Sequence, residues 1–362
     1  MNGEQHPWRV EIVGGGLIGT SIALKVAKIG SYARIVDQNE AHQRVGNELL
    51  GSQLLGEEHP ADLIVAATPV DILPEVILTA LSSNPTAIVI DTGSIKTKVV
   101  LEISTNLKNS SRNSDLARFV PSHPLAGREL SGPDGARSDL FEGRAWAVTP
   151  HADVDSTALR QVMAFVQALG ATPYQLSPEE HDREVALTSH APQVLASALA
   201  GALVEPLDLA GQGLRDMTRL ANSDIAMWQP ILEGNQEALI PVLERIIKSI
   251  NCLIDKNFDK EIVLSFMQQG AVGSRKVPGK HGGIPRNYGS LSVVIPDKAG
   301  ELARLFQHCA EARINIEDLR IEHSPGQETG LISLFVQPSD LSTLNDYLST
   351  LGWHSTILSK EN

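Results

Sequence analysis

The chain has few cysteines, few aromatic residues and no long apolar runs. Its 2 cysteines, Cys252 and Cys309, fit no metal-ligand spacing, so we expect a reduced, cytoplasmic protein. No apolar run approaches the ~18–20 residues of a membrane helix, and we expect no membrane partner. The segment MNGEQHPWRV lacks a basic region followed by an apolar core, so no signal peptide is expected.

The chain also lacks an excess of positive charge. Its formal net charge is −13 at pH 7, with 30 Lys and Arg against 43 Asp and Glu. Binding to nucleic acid needs clustered Lys and Arg, so we predict no nucleic-acid partner. A small anionic substrate is still compatible, because a few arginines in one pocket suffice. The 42% hydrophobic content and the length of 362 residues predict a globular protein of two or three domains.

Residues 8–176 alternate short β-type runs with amphipathic stretches such as LIGTSIALKVAKIG. Strands that alternate with helices are typical of βαβ units and of a mainly parallel sheet covered on both faces. We therefore predict an α/β fold that starts with a Rossmann-like domain. Its predicted strands are RVEIV, ARIVD, LIVAAT, AIVID and AWAVT.

Residues 177–270 lose the β-type runs and are predicted to form an all-helical domain. Ser177 and Glu180 have the spacing of a capping box. Long helices rich in Ala, Leu and Ile usually pack against something larger, so we expect a homodimer, with an intrachain helical bundle as the alternative. The clearest helical period is that of Ile240, Leu243, Ile246, Ile247, Ile250 and Leu253.

The end of the chain contains a predicted linker and a third domain. Residues 271–287 are rich in Gly, Pro and Lys without periodicity, which indicates a flexible linker. Residues 288–362 follow the order βαββαβ, a split βαβ unit. Its predicted strands are SLSVVIP, INIEDLRIEH, GLISLFVQ and WHSTIL, and its predicted helices are ELARLFQHCAEA and DLSTLNDYLSTLG.

The stretch VEIVGGGLIGTSIAL predicts a dinucleotide site. Gly14, Gly16 and Gly19 stand in G-x-G-x-x-G register directly after a strand and at the start of a helix. Such glycines allow a tight turn, close approach to a pyrophosphate and close helix–strand packing. The helix start, with Leu17 and Ile18, offers free N–H groups and a partial positive charge.

The choice between NAD and NADP depends on Asp37, which ends the strand ARIVD. A carboxylate there binds the adenosine ribose and repels a 2′-phosphate, so we predict NAD. Arg34 lies upstream within the strand and is not placed for a 2′-phosphate. Thr68, at the end of LIVAAT, is also included in the predicted site. A glycine-rich turn without a ligand is the alternative.

Three further stretches, DTGSIK, SHPLAGRELSGP and GLRDMTRLANSDIAMW, carry polar groups suited to a small anionic substrate. Ser94 follows the strand AIVID, and His123 lies in a predicted loop after FVPS. Both are therefore expected at the carboxyl edge of the sheet, where ligands bind. Arg215 and Arg219 have i,i+4 spacing, which places them on one face of a helix and suits a dianion.

From residue 10 to about 265 the chain resembles the prephenate and arogenate dehydrogenases, with their signature stretches in the same order. These stretches are SHPLAGRELSGP, LFEGRAW, EEHDREVALTSHAP and GLRDMTRLANSDIAMW. The segment IPDKAGELARLFQHCAEARINIEDL resembles an ACT domain. The resemblance implies NAD-dependent oxidative decarboxylation of prephenate to 4-hydroxyphenylpyruvate in tyrosine biosynthesis. Arogenate, which would give tyrosine directly, is the alternative substrate.

The resemblance also implies roles for individual residues. His123 would hydrogen-bond the ring hydroxyl of the substrate and accept its proton, and Ser94 would support the same hydroxyl. A histidine that only orders its loop is the alternative for His123. Arg219 would bind a substrate carboxylate. The residues expected to line, shape or close the pocket are Glu129, Ser189, Arg215 and Trp228.

The sequence departs from the family pattern at Gln193, where many relatives have a histidine in an S-H-x-P-H motif. A neutral amide hydrogen-bonds the substrate side chain but carries no positive charge. Arg128 also stands where many relatives have an uncharged residue. Both positions bear on the choice between the keto-acid tail of prephenate and the amino-acid tail of arogenate.

The ACT-like segment is expected to bind a regulatory amino acid at the turn between its first strand and first helix. A glycine in this turn lets backbone amides approach a carboxylate. By pathway logic the ligand would be tyrosine, and a unit that only dimerises is the alternative. The predicted ligand site consists of Asp297, Lys298, Gly300 and Asn315.

Two other functions remain open at this point. A β-hydroxy-acid dehydrogenase would need a lysine base in its helical domain, and residues 180–247 contain none. A non-catalytic amino-acid sensor would not need Ser94, His123 and Arg219 together. No His, Asp or Glu set has metal spacing, so no metal is predicted. His181 and Asp182 are interpreted as a hydrogen-bonded pair at a helix start rather than as catalytic groups.

Overall fold

The computed structural model describes residues 7–127, 132–277, 288–323 and 329–359. The chain divides into two compact units. The first comprises Met1–Leu203 and Thr218–Ile246, and the second comprises Val204–Met217 and Ile247–Asn362. In the described part of the chain, no helix is long and apolar enough to cross a membrane.

A five-stranded parallel sheet forms the centre of the first unit, in the order β2-β1-β3-β4-β5. Alternate residues of a strand point to opposite faces. Accordingly Leu63 and Val65 pack into one core, and Ile64 and Ala66 into another. This confirms the predicted parallel sheet buried on both faces. The strands are Arg9–Val13 (β1), Tyr32–Val36 (β2), Leu63–Ala66 (β3), Ile88–Asp91 (β4) and Phe119–Val120 (β5).

A second, three-stranded sheet was not foreseen, and it corrects the prediction for His123. Its strands are Ser122–Pro124 (β6), Ala145–Val148 (β7) and Thr172–Gln175 (β8). His123 lies on β6, paired antiparallel with Ala147, and not in a loop. The sequence showed no strand period because β6 is very short and derives its order from its partner strand.

Helices cover the parallel sheet, and all but α5 lie between the predicted strands. They are Leu17–Lys28 (α1), Glu40–Glu48 (α2), Leu73–Ser83 (α3), Thr97–Asn109 (α4) and Ser156–Ala168 (α5). Short 3₁₀ turns lie at Gly51–Gln53, Asn113–Arg118 and Pro133–Gly135.

The following segment is helical, as predicted. The Ser177 side chain accepts the N–H of Glu180, and the Glu180 carboxylate accepts the N–H of Ser177, so the capping box is confirmed. The helices are Pro178–Val185 (α6), Ala191–Gly201 (α7), Gln212–Thr218 (α8), Ile225–Gly234 (α9), Gln236–Asp255 (α10) and Lys260–Ser274 (α11), with a π-helical turn at Ala186–His190.

Two details of this segment differ from expectation. Arg215 lies on α8, but Arg219 begins a 3₁₀ turn, Arg219–Asn222, so the two arginines do not share one regular helix. A tighter 3₁₀ turn changes the angular spacing on which the shared face depended. In addition, α11 extends into the segment for which a linker is predicted. It ends at Ser274, and the N–H of Arg275 still donates to the carbonyl oxygen of Ala271, as in a helix.

The C-terminal segment has the predicted βαββαβ order and forms an antiparallel sheet, β10-β11-β9-β12. Its second strand begins at Asp318 rather than at Ile314, because Ile314 and Ile316 pack into the core without strand pairing. The elements are Gly289–Pro296 (β9), Glu301–Glu311 (α12), Asp318–His323 (β10), Thr329–Val336 (β11), Leu341–Thr350 (α13) and His354–Ser359 (β12).

The glycine turn after β1 generates a stability prediction. A Cβ at position 19 would overlap the carbonyl oxygen of Gly14, whereas a Cβ at position 16 would meet no atom within 4 Å. We expect Gly19→Ala to lower the free energy of unfolding by about 1–3 kcal/mol through overpacking. The matched variant Gly16→Ala should unfold like the wild type. Denaturant melts of both variants test this, and equal stability would contradict the packing role of Gly19.

Candidate active site

The glycine turn places the start of α1 against the end of β1. Gly14 has φ +113, a conformation that favours glycine, and its backbone closely approaches Ala67. Helix α1 begins after Gly16, so the N–H groups of Leu17 and Ile18 belong to its first turn and have no partner within the helix. The space beside Gly16 is open. The turn therefore has the shape and the donors to bind a diphosphate.

Asp37, directly after β2, is positioned by the same turn. Its carboxylate accepts the N–H of Gly15 at 2.5 Å and that of Asn39 at 2.7 Å. Thr68 lies beyond the neighbouring strand β3, and its hydroxyl is buried without a hydrogen-bond partner among the described residues. A carboxylate at the end of β2 and a hydroxyl without a partner both fit a dinucleotide cofactor.

Arg34 is occupied elsewhere. Its guanidinium pairs with Glu11 at 2.5 Å and donates to the carbonyl oxygens of Gly56 and His59 at 3.1 Å. It therefore braces β2 against a loop and does not offer a site for a 2′-phosphate.

A buried ion pair holds the strand that carries His123. Asp91, at the end of β4, and Lys96 are both fully buried and bind each other through Oδ2 and Nζ. Ser122 donates its N–H to Asp91 Oδ1 at 3.0 Å and its hydroxyl to the Asp91 carbonyl oxygen at 2.7 Å. Its own carbonyl oxygen accepts from Lys96 Nζ at 2.9 Å. The residue before His123 is thus tied to the carboxyl end of β4.

His123 is connected to helix α6 by a chain of hydrogen bonds. Its Nδ1 lies 2.9 Å from Nε2 of His181, and His181 Nδ1 lies 2.8 Å from Oδ1 of Asp182. The Asp182 carboxylate also accepts the backbone N–H groups of Lys96 and Thr97, both at 2.8 Å. The pair His181–Asp182 is therefore hydrogen-bonded as expected, but it also contacts His123 and the start of α4.

Burial lowers the pKa of His123 well below its usual value, and His181, Lys96 and His190 act in the same direction. His123 is therefore neutral at pH 7, the state in which an imidazole can accept a proton. Burial by itself would raise the pKa of Asp182, but the hydrogen bonds from His181 and Thr97 outweigh it and lower that pKa. Asp182 is accordingly a carboxylate at neutral pH.

A second buried histidine lies at the end of the π-helical turn. The Asn235 amide nitrogen donates to His190 Nδ1 at 3.0 Å and to the Asp182 carbonyl oxygen at 2.9 Å. Burial lowers the pKa of His190 to about 4. The Trp228 ring meets His190 edge-on, with 5.9 Å between centroids. π-Helical turns often occur at functional sites, which is consistent with Ser189 and His190 lying on this one.

The other predicted substrate residues lie on several elements. Ser94 is half-buried in the loop between β4 and α4, two positions before Lys96, whose N–H Asp182 binds. Gln193 is buried on α7 and accepts from the Ser223 hydroxyl at 3.4 Å. Ser189, Arg215 and Arg219 have exposed side chains. Glu129, like Arg128, lies outside the described residues.

The predicted regulatory residues lie in the C-terminal segment of the second unit. Asp297 and Lys298 are exposed in the turn between β9 and α12, and Gly300 there has φ +93. The Asn315 side chain donates to Glu317 at 3.1 Å, which holds it within its own loop.

Sequence reasoning missed the supporting groups of His123. Asp91, Lys96 and Asn235 were not selected, and His181 was assigned only a local role. Two signals were available: adjacent His181 and Asp182 at the start of a predicted helix, and a lysine in the short stretch DTGSIK that follows an apolar strand. Among the described residues, no group of three or more His, Cys, Asp or Glu is arranged to hold a metal ion.

Comparisons with known proteins match most of the chain. The family model described as "Prephenate dehydrogenase, nucleotide-binding domain" matches residues 23–175, and that described as "Prephenate dehydrogenase, dimerization domain" matches residues 177–269. A probable prephenate dehydrogenase of Streptomyces niveus is 32% identical over 363 residues, which cover 94% of this chain and 98% of that protein.

Two solved structures are similar in fold. Prephenate dehydrogenase from Aquifex aeolicus, in complex with hydroxyphenyl propionate and NAD+, has a TM-score of 0.67 at 27% identity, covering 76% of this chain and 100% of that chain. Arogenate dehydrogenase from Synechocystis has a TM-score of 0.63 at 26% identity, covering 74% of this chain and 100% of that chain.

The position of Asp37 generates a prediction about cofactor choice. Asp37→Asn keeps an oxygen that accepts the Gly15 N–H but removes the charge that repels a 2′-phosphate. We expect the ratio of kcat/KM with NAD to that with NADP to fall at least ~10-fold, which corresponds to about 1.4 kcal/mol. Steady-state rates at equal low cofactor concentrations measure this ratio.

Glu48→Gln, which removes an exposed carboxylate from α2, is the matched control and should leave the ratio unchanged. Equal use of NAD and NADP by the wild-type protein would show that Asp37 does not select the cofactor.

Proposed function

Because this chain belongs to the prephenate dehydrogenase family, we propose that it catalyses the NAD-dependent oxidative decarboxylation of prephenate to 4-hydroxyphenylpyruvate. The observation that carries this proposal is His123, a neutral histidine fixed beside the carboxyl end of the parallel sheet. The glycine turn, Asp37 and Thr68 supply a matching dinucleotide site at the ends of β1, β2 and β3.

In this reaction the ring oxygen gains negative charge while the ring carboxylate leaves as CO2, and the protein stabilises that charge. NAD, when bound, accepts the hydride from the hydroxyl-bearing carbon. His123 accepts the hydroxyl proton at its free nitrogen and returns it to the phenolate after the ring becomes aromatic. A positioned base of this kind contributes on the order of 10²–10⁴ in rate.

The remaining residues bind and orient the substrate in this proposal. Ser94 supports the ring hydroxyl, and Arg219 binds a carboxylate through its guanidinium, which suits bidentate recognition. The residues proposed to line or shape the pocket are Ser189, Glu129, Gln193, Arg215 and Trp228.

Arogenate is the second candidate substrate, and the neutral side chain of Gln193 is the observation that favours it. Gln193 presents a neutral amide, and its oxygen already accepts from Ser223. It therefore offers no fixed positive charge to a keto-acid tail. A relative of similar fold is named an arogenate dehydrogenase.

We also propose a homodimer. The residues matched by the dimerisation-domain model include apolar side chains that are exposed in the single chain. A dimer interface would remove this apolar surface from water. On α10 and α11 these side chains are Ile240, Ile247, Ile250, Ile254, Leu264 and Met267.

The activity is tested by NADH absorbance with purified protein, NAD and either prephenate or arogenate at matched concentrations. Turnover of either substrate shows that the protein is an enzyme of this type. The ratio of the two kcat/KM values shows whether it prefers the keto-acid tail of prephenate or the amino-acid tail of arogenate. No turnover on either, with NAD binding confirmed by calorimetry, would favour a sensor or a different substrate.

His123→Asn tests the assigned base in the same assay. We expect kcat to fall at least ~10²-fold, because asparagine cannot accept the proton, while the Kd for NAD is unchanged. A near-wild-type kcat for this variant would remove His123 from the mechanism.

We further propose that the C-terminal segment is an ACT-like regulatory domain that binds tyrosine. Its βαββαβ order and the exposed turn at Asp297, Lys298 and Gly300 support this proposal. The positive φ of Gly300 lets the start of α12 present N–H groups to a carboxylate.

This regulation is tested by measuring tyrosine inhibition in the wild-type protein and after removal of residues 288–362. We expect inhibition to disappear with the segment while turnover without tyrosine is retained. Unchanged inhibition would place the tyrosine site at the active site and leave the segment with a role in association only.

A further inference from the structure

We propose that His181 and Asp182 are positioning residues that select the Nδ1–H tautomer of His123 and share the charge formed when its Nε2 accepts a proton. This inference rests on the proposed function. It assigns a role to a pair for which the sequence indicated only a local helix-start contact.

The chain of hydrogen bonds begins at a group that can only accept. The Asp182 carboxylate receives the N–H groups of Lys96 and Thr97 and faces His181 Nδ1 at 2.8 Å. An ionised carboxylate has no proton to donate. His181 therefore carries a hydrogen on Nδ1 and donates it to Asp182.

The second link determines the state of His123. A His181 ring whose single hydrogen is on Nδ1 has a lone pair on Nε2, which lies 2.9 Å from His123 Nδ1. A hydrogen bond between the two nitrogens then requires the hydrogen to be on His123 Nδ1. The lone pair of His123 is consequently on Nε2, the nitrogen left for the substrate hydroxyl, because the partner of one ring nitrogen sets the state of the other.

The same contacts accommodate the product of proton transfer. The O–H bond of the substrate breaks and an N–H bond forms at His123 Nε2. The proton on His123 Nδ1 can then move to His181 Nε2, and the charge of the resulting imidazolium faces the Asp182 carboxylate. When the phenolate recovers its proton from His123, the two rings return to their starting state.

Among the described residues, the other titratable groups near the two rings supply no second anion in direct contact with them. Lys96 lies at the start of α4 and is paired with Asp91 of β4. His190, in the π-helical turn, has its Nδ1 occupied by the Asn235 amide. Asp182 is thus the anion in direct contact with the histidine pair within the described residues.

The test uses two substitutions of His181 in the full-length protein. His181→Gln retains an oxygen that accepts from His123 Nδ1 but cannot take up a proton. His181→Phe retains a buried ring without either hydrogen bond. His151→Gln is the matched control, because His151 is also a partly buried histidine whose pKa is lowered by burial, and it contacts Phe119 rather than His123.

We expect His181→Gln to lower kcat about 10-fold or more without changing the Kd for NAD. The acid limb of its pH–rate profile should shift, because the variant removes the ring that is hydrogen-bonded to His123 Nδ1. His181→Phe should lower kcat further. His151→Gln should match the wild-type protein in both kcat and acid limb.

A wild-type kcat and acid limb in His181→Gln would overturn the proposal. The proposal would also be overturned if the variant lost activity only in proportion to its unfolded fraction and had wild-type activity below its Tm. That result would indicate a purely structural role for His181.

Nitrogen-15 NMR of histidine-labelled protein tests the tautomer without turnover. We expect the Nδ1–H form of His123 in the wild-type and His181→Gln proteins and a substantial Nε2–H population in His181→Phe. An Nε2–H form in the wild-type protein would overturn the proposal. If neither prephenate nor arogenate is turned over, the proposed function fails, and the NMR result still decides the tautomer.

Discussion

The carboxylate of Asp182 is the group on which the geometry of the candidate site depends. It accepts two backbone N–H groups at the start of α4 and faces the ring of His181. A buried carboxylate is stable only when such partners satisfy it, because desolvation of an unpaired charge is costly. Through these bonds α6 is attached to the edge of the parallel sheet, and His181 is held against His123.

The buried pair of Asp91 and Lys96 provides the matching constraint from the sheet side. Together the two residues bind all three polar groups of Ser122, its N–H, carbonyl and hydroxyl. Removing either charge would leave the other buried without its partner, which costs roughly 3–5 kcal/mol at such sites. The pair therefore fixes the backbone of β6, and Asp182 fixes the histidine that contacts His123 from the other side.

Residues that are not expected to touch the substrate also orient the histidines of the site. Asn235 follows α9 and donates to both His190 and the backbone of Asp182. The residue before it, Gly234, is packed so closely on Ile95 that a Cβ there would overlap the isoleucine side chain. This close approach brings the end of α9 to the start of α4. The histidines of the site are thus oriented by contacts from β4, from the start of α4, from α6 and from the end of α9.

Much of the fold was predictable because its signals are local. The strands β1 to β4, the glycine turn and the Ser177–Glu180 capping box each depend on residues close in the sequence. The short strands β5, β6 and β8 were missed because their pairing partners, and not their own periodicity, hold them in place. The spacing of Arg215 and Arg219 suggested one helix, but the structure ends α8 at Thr218.

The sequence by itself determined the α/β and helical segments and predicted the dinucleotide turn with Asp37, and its resemblance to a known family singled out His123 as the candidate base. Tertiary structure alone decided what surrounds that base. Lys96, His181 and Asn235 are far apart in the chain. Each takes part in the site only through a partner that folding brings within hydrogen-bond distance. A hydrogen bond needs two groups about 3 Å apart, and neither residue's sequence neighbourhood contains information about the other.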